Sequence, residues 1–358
     1  MTLKNETEFW SGRKVLITGH TGFKGVWLTL LLEALGAEVH GVSLAPPTEP
    51  SLFKLAAARP PKGGASLMGD IMAPGRLAAA LENSGAEVAF HLAAQPIVSR
   101  SYLAPAGTFA VNVMGTVGFL EAARQASALK AAVIVTSDRC YRNDGRRGGY
   151  GEDDALGGDD PYSASKAAAE LAVGAWRRSF FQDDRVLLAT ARTGHVLGGG
   201  DFSPARLVPD ALKSFTDGRP LILRRPWALR PWQHVLEPLS GYLALARGLW
   251  EGRWEWAGAW NFGPDPADHW LASKLAGRLA ELWGGWAKVE LAPAPGYQEA
   301  EAEILILNAD RARTVLGWPV RLPLEEALAW TVDWYRAFYR GWSTLEVLQR
   351  QISNYLER

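Results

Sequence analysis

The 358-residue sequence predicts an α/β fold, a doubly wound parallel sheet with a smaller, interleaved C-terminal lobe. Short β-branched runs alternate with apolar-periodic stretches through the first half of the chain, the rhythm of strand–helix–strand units. The runs are apolar without polar interruption, which is how strands covered on both faces read. A glycine-rich turn separates the first run from the first periodic stretch, as in parallel sheets that bind ligands at their C-terminal edge.

Lys14–Thr18 is the first strand, and the apolar VWLTLLLEALG that follows the turn is the first helix, stopped by Gly36. Ala37–Val42 is the second strand. Val88–Leu92 and Ala131–Val135 are buried strands with helical spacing over Ala110–Ala126 between them, and Leu187–Ala191 is a later strand. From Gly198 the pattern breaks into Gly/Pro-rich pieces and shorter helices at Ser240–Trp250, Ala272–Trp283 and from Leu324 to about Arg340. The chain therefore divides into residues 1–197, carrying the sheet, and 198–358, mainly a second lobe. Strand-like Leu221–Leu223 and Trp260–Phe262 predict returns to the sheet near 221–235 and 258–264.

Composition narrows the partners. Lys+Arg and Asp+Glu both number 38, so the formal charge is zero, and a nucleic-acid partner would call for a basic excess. The N-terminus lacks an apolar leader core and no apolar run reaches the about 18 residues of a membrane span. The expectation is a cytoplasmic protein with no membrane partner. Cys140 is the single cysteine, which excludes an intramolecular disulfide or a Cys-based zinc site, and the six histidines show no ligand-like spacing. Of the 16 tryptophans, Trp250, Trp254, Trp256, Trp260 and Trp270 are expected in the lobe's core and Trp330 and Trp334 on one helical face, with Trp232 the candidate for stacking on a base.

Thr18-Gly19-His20-Thr21-Gly22-Phe23-Lys24-Gly25 is G-x-x-G-x-x-G between a strand and a helix. The glycines allow a tight turn and bring backbone N–H groups to a pyrophosphate at the positive helix terminus, the Rossmann-type arrangement for a dinucleotide. The second strand ends His40-Gly41-Val42-Ser43-Leu44 without the carboxylate that would hold a ribose, and no arginine replaces it to indicate NADP. Asp70, before Ile71, reads either as an adenine contact or as a turn aspartate. Downstream, Tyr162 and Lys166 stand one helical turn apart, on one face, after Ser137 at a strand end. An ammonium beside the phenol is expected to lower the phenol's pKa and make it a base for a hydroxyl proton during hydride transfer.

This constellation resembles the extended short-chain dehydrogenase/reductase family. FKGVWL, SLAPPTEPSLF, LAAQPIVSRSY, NVMGTV, TSDRCY, DPYSASK, RLVPD, RPWQHVLEPLSGY and WNFGP look like the CDP-glucose 4,6-dehydratases, over about residues 9–340. The resemblance implies NAD as cofactor, held by Gly19, Thr21, Gly22, Phe23, Gly25, Asp70, Ile71, Leu92, Ala93, Ala94, Tyr162 and Lys166. It implies a redox triad of Ser137, Tyr162 and Lys166, with Asp138 as the acid that protonates a leaving 6-hydroxyl. Gln95, Ser137, Arg192, His195, Arg206, Arg230 and His234 would lie around the nucleotide sugar, CDP-glucose, in a homodimer built on paired helices. For each arginine the alternative is a structural ion pair, and for His234 a satisfied histidine of the lobe.

Two residues depart from that family. Arg139 follows Asp138 where the family usually has lysine; a guanidinium can stabilise an enolate but is a poor proton acceptor. His195 replaces the usual asparagine. The segment 292–308 also lacks expected histidines. The expected activity is oxidation at carbon 4, elimination of water across carbons 5 and 6, and return of the hydride. A sugar-nucleotide 4-epimerase, or a dehydratase with a changed substrate, is the alternative. A non-catalytic dinucleotide-binding regulator is a third reading, against which Ser137, Tyr162 and Lys166 argue.

Overall fold

The computed structural model describes residues 3–56, 63–183, 185–292 and 303–358. Seven strands form one sheet in the order β11-β6-β5-β4-β1-β2-β3. They are β1 (Lys14–Thr18), β2 (Glu38–Ser43), β3 (Ser66–Met68), β4 (Val88–His91), β5 (Ala131–Val135), β6 (Leu187–Thr193) and β11 (Ala259–Phe262). Every neighbouring pair is parallel.

The unbroken apolar runs have the cause expected for a sheet buried on both faces. Side chains alternate along a strand. Val15 and Ile17 join one core cluster with Trp27, Leu28 and Leu31, while Leu16 joins another with Leu81, Phe119 and Leu120. In β5, Ala131, Val133 and Val135 face the first cluster, and Ala132 and Ile134 the second. Helix Phe23–Ala34 covers one face of the sheet, and helix Gly115–Gln125 the other.

The strand order runs outward from β1 in both directions, to β2 on one side and β4 on the other. Connections leaving opposite ways open a crevice at the C-terminal ends of those strands. Thr18, His91 and Val135 end there, and the glycine turn, Leu92–Gln95 and Ser137 begin there.

The two expected sheet returns have different fates. Residues 259–262 do return, as β11 at the edge beside β6. Residues 221–235 do not. Strand β8 (Leu221–Leu223) pairs with β13 (Val289–Leu291), β9 (Leu229–Pro231) with β12 (His269–Leu271), and β10 (Gln233–His234) with β7 (Val196–Leu197), each in its own two-stranded sheet. The one edge position beside β6 is taken by β11, so these short strands pair among themselves.

After β7 the chain crosses through Gly198-Gly199-Gly200 under close packing. A Cβ on Gly199 would stand 2.1 Å from Trp334 Cγ, and one on Gly200 2.3 Å from Leu52 Cδ1. The helical spacing over 110–126 is also interrupted: Ala110–Met114 is a π turn leading into helix Gly115–Gln125. Trp10, Trp27, Trp260 and Trp334 are fully buried. Of the segment 292–308, residues 293–302 lie outside the described residues.

Candidate active site

The crevice is built at one end from backbone and at the other from side chains. At the backbone end, Gly19 has φ +78°, in the left-handed region, and a Cβ there would lie 2.8 Å from Ala93 N. A Cβ on Gly25 would lie 2.2 Å from Gly19 O. Only glycine fits either place. Gly22 caps helix Phe23–Ala34 without a side-chain hydrogen bond, so the cradle presents bare backbone at a helix N-terminus. That geometry fits the pyrophosphate of a dinucleotide.

Thr21 pins the turn to the end of β2: its Oγ1 donates to Leu44 O at 2.9 Å and hydrogen-bonds Ser43 Oγ at 2.7 Å. His20 lies over Gly41, where a Cβ would come within 2.3 Å of its ring, and its Nε2 hydrogen-bonds Ser66 Oγ at 2.6 Å. Burial pulls the His20 pKa down to about 4, so a neutral ring stands where a carboxylate was sought. Phe23 is half-buried against the core. Asp70 accepts a hydrogen bond from Met72 N at 2.9 Å, the turn role, and Ile71 is buried beside it. Leu92, Ala93 and Ala94 are half-buried after β4, and Ala93 N donates to Thr18 Oγ1 at 3.2 Å.

Gln95 is held on all sides. Its N donates to Asn112 Oδ1 at 2.8 Å, its Nε2 donates to Thr108 Oγ1 at 3.0 Å, and its Oε1 accepts from Ile97 N at 2.7 Å. Asn112, in the π turn, also donates to Ser165 Oγ at 2.9 Å and so ties this loop to the helix bearing Tyr162. A buried asparagine within an apolar-periodic stretch was the available signal for it.

At the side-chain end, Ser137 caps the short turn Asp138–Cys140, accepting from Arg139 N at 3.2 Å. Its hydroxyl donates to Asp138 Oδ1 at 3.0 Å and is hydrogen-bonded to the Tyr162 hydroxyl. Tyr162 and Lys166 rise from helix Pro161–Phe180, which starts sharply because Asp160 accepts from Ser163 N at 2.9 Å and Pro161 supplies the first turn. Lys166 Nζ donates to Val135 O at 3.3 Å. Burial lowers its pKa to about 8, against the opposing pull of Glu170. The expected lowering of the Tyr162 pKa is not what this geometry gives. Burial raises it, and the opposing effects come from Ser137, Arg139 and Arg206, while the Lys166 ammonium faces a carbonyl.

Asp138 is buried, and desolvation raises its pKa despite Arg139, Arg230 and Lys24 nearby. A carboxyl whose pKa is pushed up by burial is better suited to donating a proton than an exposed one. Among the described residues its buried Oδ2 has no hydrogen-bond partner, and it lies 3.9 Å from His195 Nδ1. The His195 ring packs edge-on against Trp232, 5.1 Å between centroids, and Trp232 Nε1 donates to Trp270 O, so this indole is engaged with protein. Arg206, about one-third exposed, pairs with Asp201 at 2.8 Å. Arg230 is buried and donates to Leu229 O and Glu303 O, both at 2.9 Å.

Two residues expected around the substrate are committed elsewhere. Arg192 is buried in an ion pair with Glu170 at 2.8 Å and donates to Tyr141 Oη and Glu152 O. Glu170 also accepts from Thr136 and Thr190. This network engages both terminal nitrogens of Arg192 inside the protein. His234 has no exposure; it sits edge-on to Trp27 and Trp330, accepts from Leu236 N, and is held neutral by burial. Lys24 was not singled out by its spacing, yet it is coupled to Asp138, Lys166, Arg206 and Asp201, and burial lowers its pKa to about 7.

The chain matches the NAD dependent epimerase/dehydratase family over residues 15–252. It is 42% identical over 356 residues to the CDP-glucose 4,6-dehydratase of Salmonella typhimurium, covering 98% of each chain. It is 31% identical over 282 residues to a dTDP-glucose 4,6-dehydratase of Streptomyces griseus, covering 77% of this chain and 79% of that one. Among solved structures, a dTDP-glucose 4,6-dehydratase from Streptomyces venezuelae with NAD bound superposes with a TM-score of 0.76 at 25% identity. That match covers 92% of this chain and 99% of the other.

Proposed function

This chain belongs to the NAD dependent epimerase/dehydratase family, and within it we propose a lyase that converts CDP-glucose to CDP-4-dehydro-6-deoxyglucose. The observation that carries the proposal is Asp138, a buried carboxyl with a raised pKa, joined through Ser137 to the Tyr162 hydroxyl. An enzyme that only oxidises and re-reduces carbon 4 has no use for a proton donor there. Loss of a hydroxyl from carbon 6 requires one.

Gly19, Gly22 and Gly25 would hold the NAD pyrophosphate, with Asp70, Ile71 and Leu92–Ala94 along the rest of the cradle. The bound dinucleotide supplies a reversible acceptor for the hydride of carbon 4. Tyr162 acts as the phenolate, which Lys166 stabilises; it takes the 4-hydroxyl proton and becomes the neutral phenol. The ketone at carbon 4 then acidifies carbon 5. Asp138 gives its proton to the departing 6-hydroxyl, which leaves as water. Ser137 closes the proton cycle, because its hydroxyl spans Tyr162, which has gained a proton, and Asp138, which has lost one. Arg206 is the arginine suited to the substrate diphosphate, being partly exposed and paired with Asp201.

The active form proposed is a cytoplasmic homodimer. Leu171 on Tyr162's own helix is 63% exposed, and Leu103 and Met114 on neighbouring helical segments are 87% and 55% exposed, the apolar surface a second copy would cover. Among the described residues no helix is long and apolar enough to cross a membrane.

The test is NMR of the protein with NAD and CDP-glucose in deuterated water. A new 6-methyl signal with deuterium at carbon 5 supports dehydration. Inversion at carbon 4 without a methyl signal makes the enzyme an epimerase.

A further inference from the structure

We infer that His195 is the base that removes the carbon 5 proton, working as a pair with Asp138. The inference rests on the dehydratase reading and assigns the one step that reading leaves without a residue. Elimination needs an acceptor for the carbon 5 proton close to the donor for the 6-hydroxyl. Arg139, next in sequence to Asp138, carries a guanidinium that stays protonated and so accepts nothing. Lys166 is turned to Val135 O and belongs to the phenol. Lys24 stands in the first turn of the helix whose N-terminus forms the pyrophosphate cradle, beside Arg206, where anionic charge is expected.

His195 satisfies the geometry. Its Nδ1 lies 3.9 Å from Asp138 Oδ2, the carboxyl oxygen without a hydrogen-bond partner among the described residues. That separation exceeds a hydrogen bond, yet it sets a proton acceptor and a proton donor side by side, close enough to serve adjacent carbons of one substrate. The residue type also fits, since a neutral imidazole accepts a proton near neutral pH and returns it. Trp232 holds the ring edge-on and fixes its direction.

The step balances. The carbon 5–hydrogen bond breaks, its proton goes to the imidazole, and its electron pair forms the carbon 5–carbon 6 double bond. The carbon 6–oxygen bond breaks, and the oxygen leaves as water with the Asp138 proton. The imidazolium then returns its proton to carbon 5 as hydride reaches carbon 6 from the reduced cofactor.

The experiment follows the wild type, His195→Asn and His195→Gln with NAD and CDP-glucose in deuterated water, reading two signals. One is the absorbance of the reduced dinucleotide, which reports oxidation at carbon 4. The other is deuterium at carbon 5 with the 6-methyl resonance. Both variants should keep the first signal and lose about 100-fold or more of the second. Adding Arg139→Lys to His195→Asn should return exchange at carbon 5, because a buried lysine can be tuned into a base. That rescue separates a lost base from a lost fold.

Wild-type deuteration rates in both single variants would overturn the inference. So would parallel loss of carbon 4 oxidation, which makes His195 a binding residue. Loss of exchange in Lys24→Met with exchange intact in His195→Asn would give the role to Lys24. If the wild type itself makes no methyl product, the dehydratase reading fails and the inference falls with it.

Discussion

The two ends of the crevice are made of different materials. The cofactor end is backbone: Gly19 and Gly25 are there because a Cβ would collide with Ala93 N or Gly19 O. The substrate end is side chains whose work is decided by burial and partners. Arg192 and Arg206 show the contrast within one residue type. One is buried against Glu170, Tyr141 and Glu152; the other is partly open with Asp201 as its near partner. A backbone site is written in the order of residues, whereas a side-chain site is written in which residues meet.

The strongest challenge to that contrast is Tyr162→Phe, which should cut both cofactor reduction and product about 1,000-fold with the thermal midpoint unchanged. Single-turnover absorbance and a melt check it together. Arg192→Leu should do the opposite. It leaves Glu170 charged and buried, costing about 3–5 kcal/mol in denaturant unfolding. If the variant folds normally and instead raises KM, Arg192 belongs to the substrate.

Asp138→Asn should slow water loss about 100-fold while cofactor reduction persists, read in the same NMR and absorbance pair. Arg206→Met should raise the KM for CDP-glucose about tenfold and shift stability by less than about 1 kcal/mol, since its ion pair is partly exposed. The subtlest readout is in pH, because the change is spread over more than two pH units. Lys166 has a pKa of about 8 in the folded protein against 10.5 ordinarily, so between those values the unfolded chain binds more protons there. Stability from this site therefore rises with pH across that window, on the order of 3 kcal/mol, and Lys166→Met should flatten the rise.

Much of the fold was legible because period and punctuation are local. Strands β1, β2, β4, β5 and β6, the glycine turn and the returning strand near Trp260 all follow from runs and turns a few residues long. The pairing of Leu221–Leu223 with Val289–Leu291 did not, because strand character says nothing about which partner is vacant. The site divides the same way. Spacing singled out Tyr162, Lys166 and Ser137, which the structure brings together. It missed Lys24, whose coupling to Asp138 exists only after the glycine turn is brought to β5, and it gave His234 to the substrate although two tryptophans enclose it.

Three consecutive glycines would ordinarily be taken for a pivot. In this molecule Gly198-Gly199-Gly200 is a clamp. Its missing side chains are replaced by the Trp334 ring and the Leu52 methyls, which occupy that space already. Torsional freedom is cancelled by contact. A swing of the second lobe about this crossing would have to prise an indole off the backbone, so a side chain added at Gly199 or Gly200 would push the packed surfaces apart.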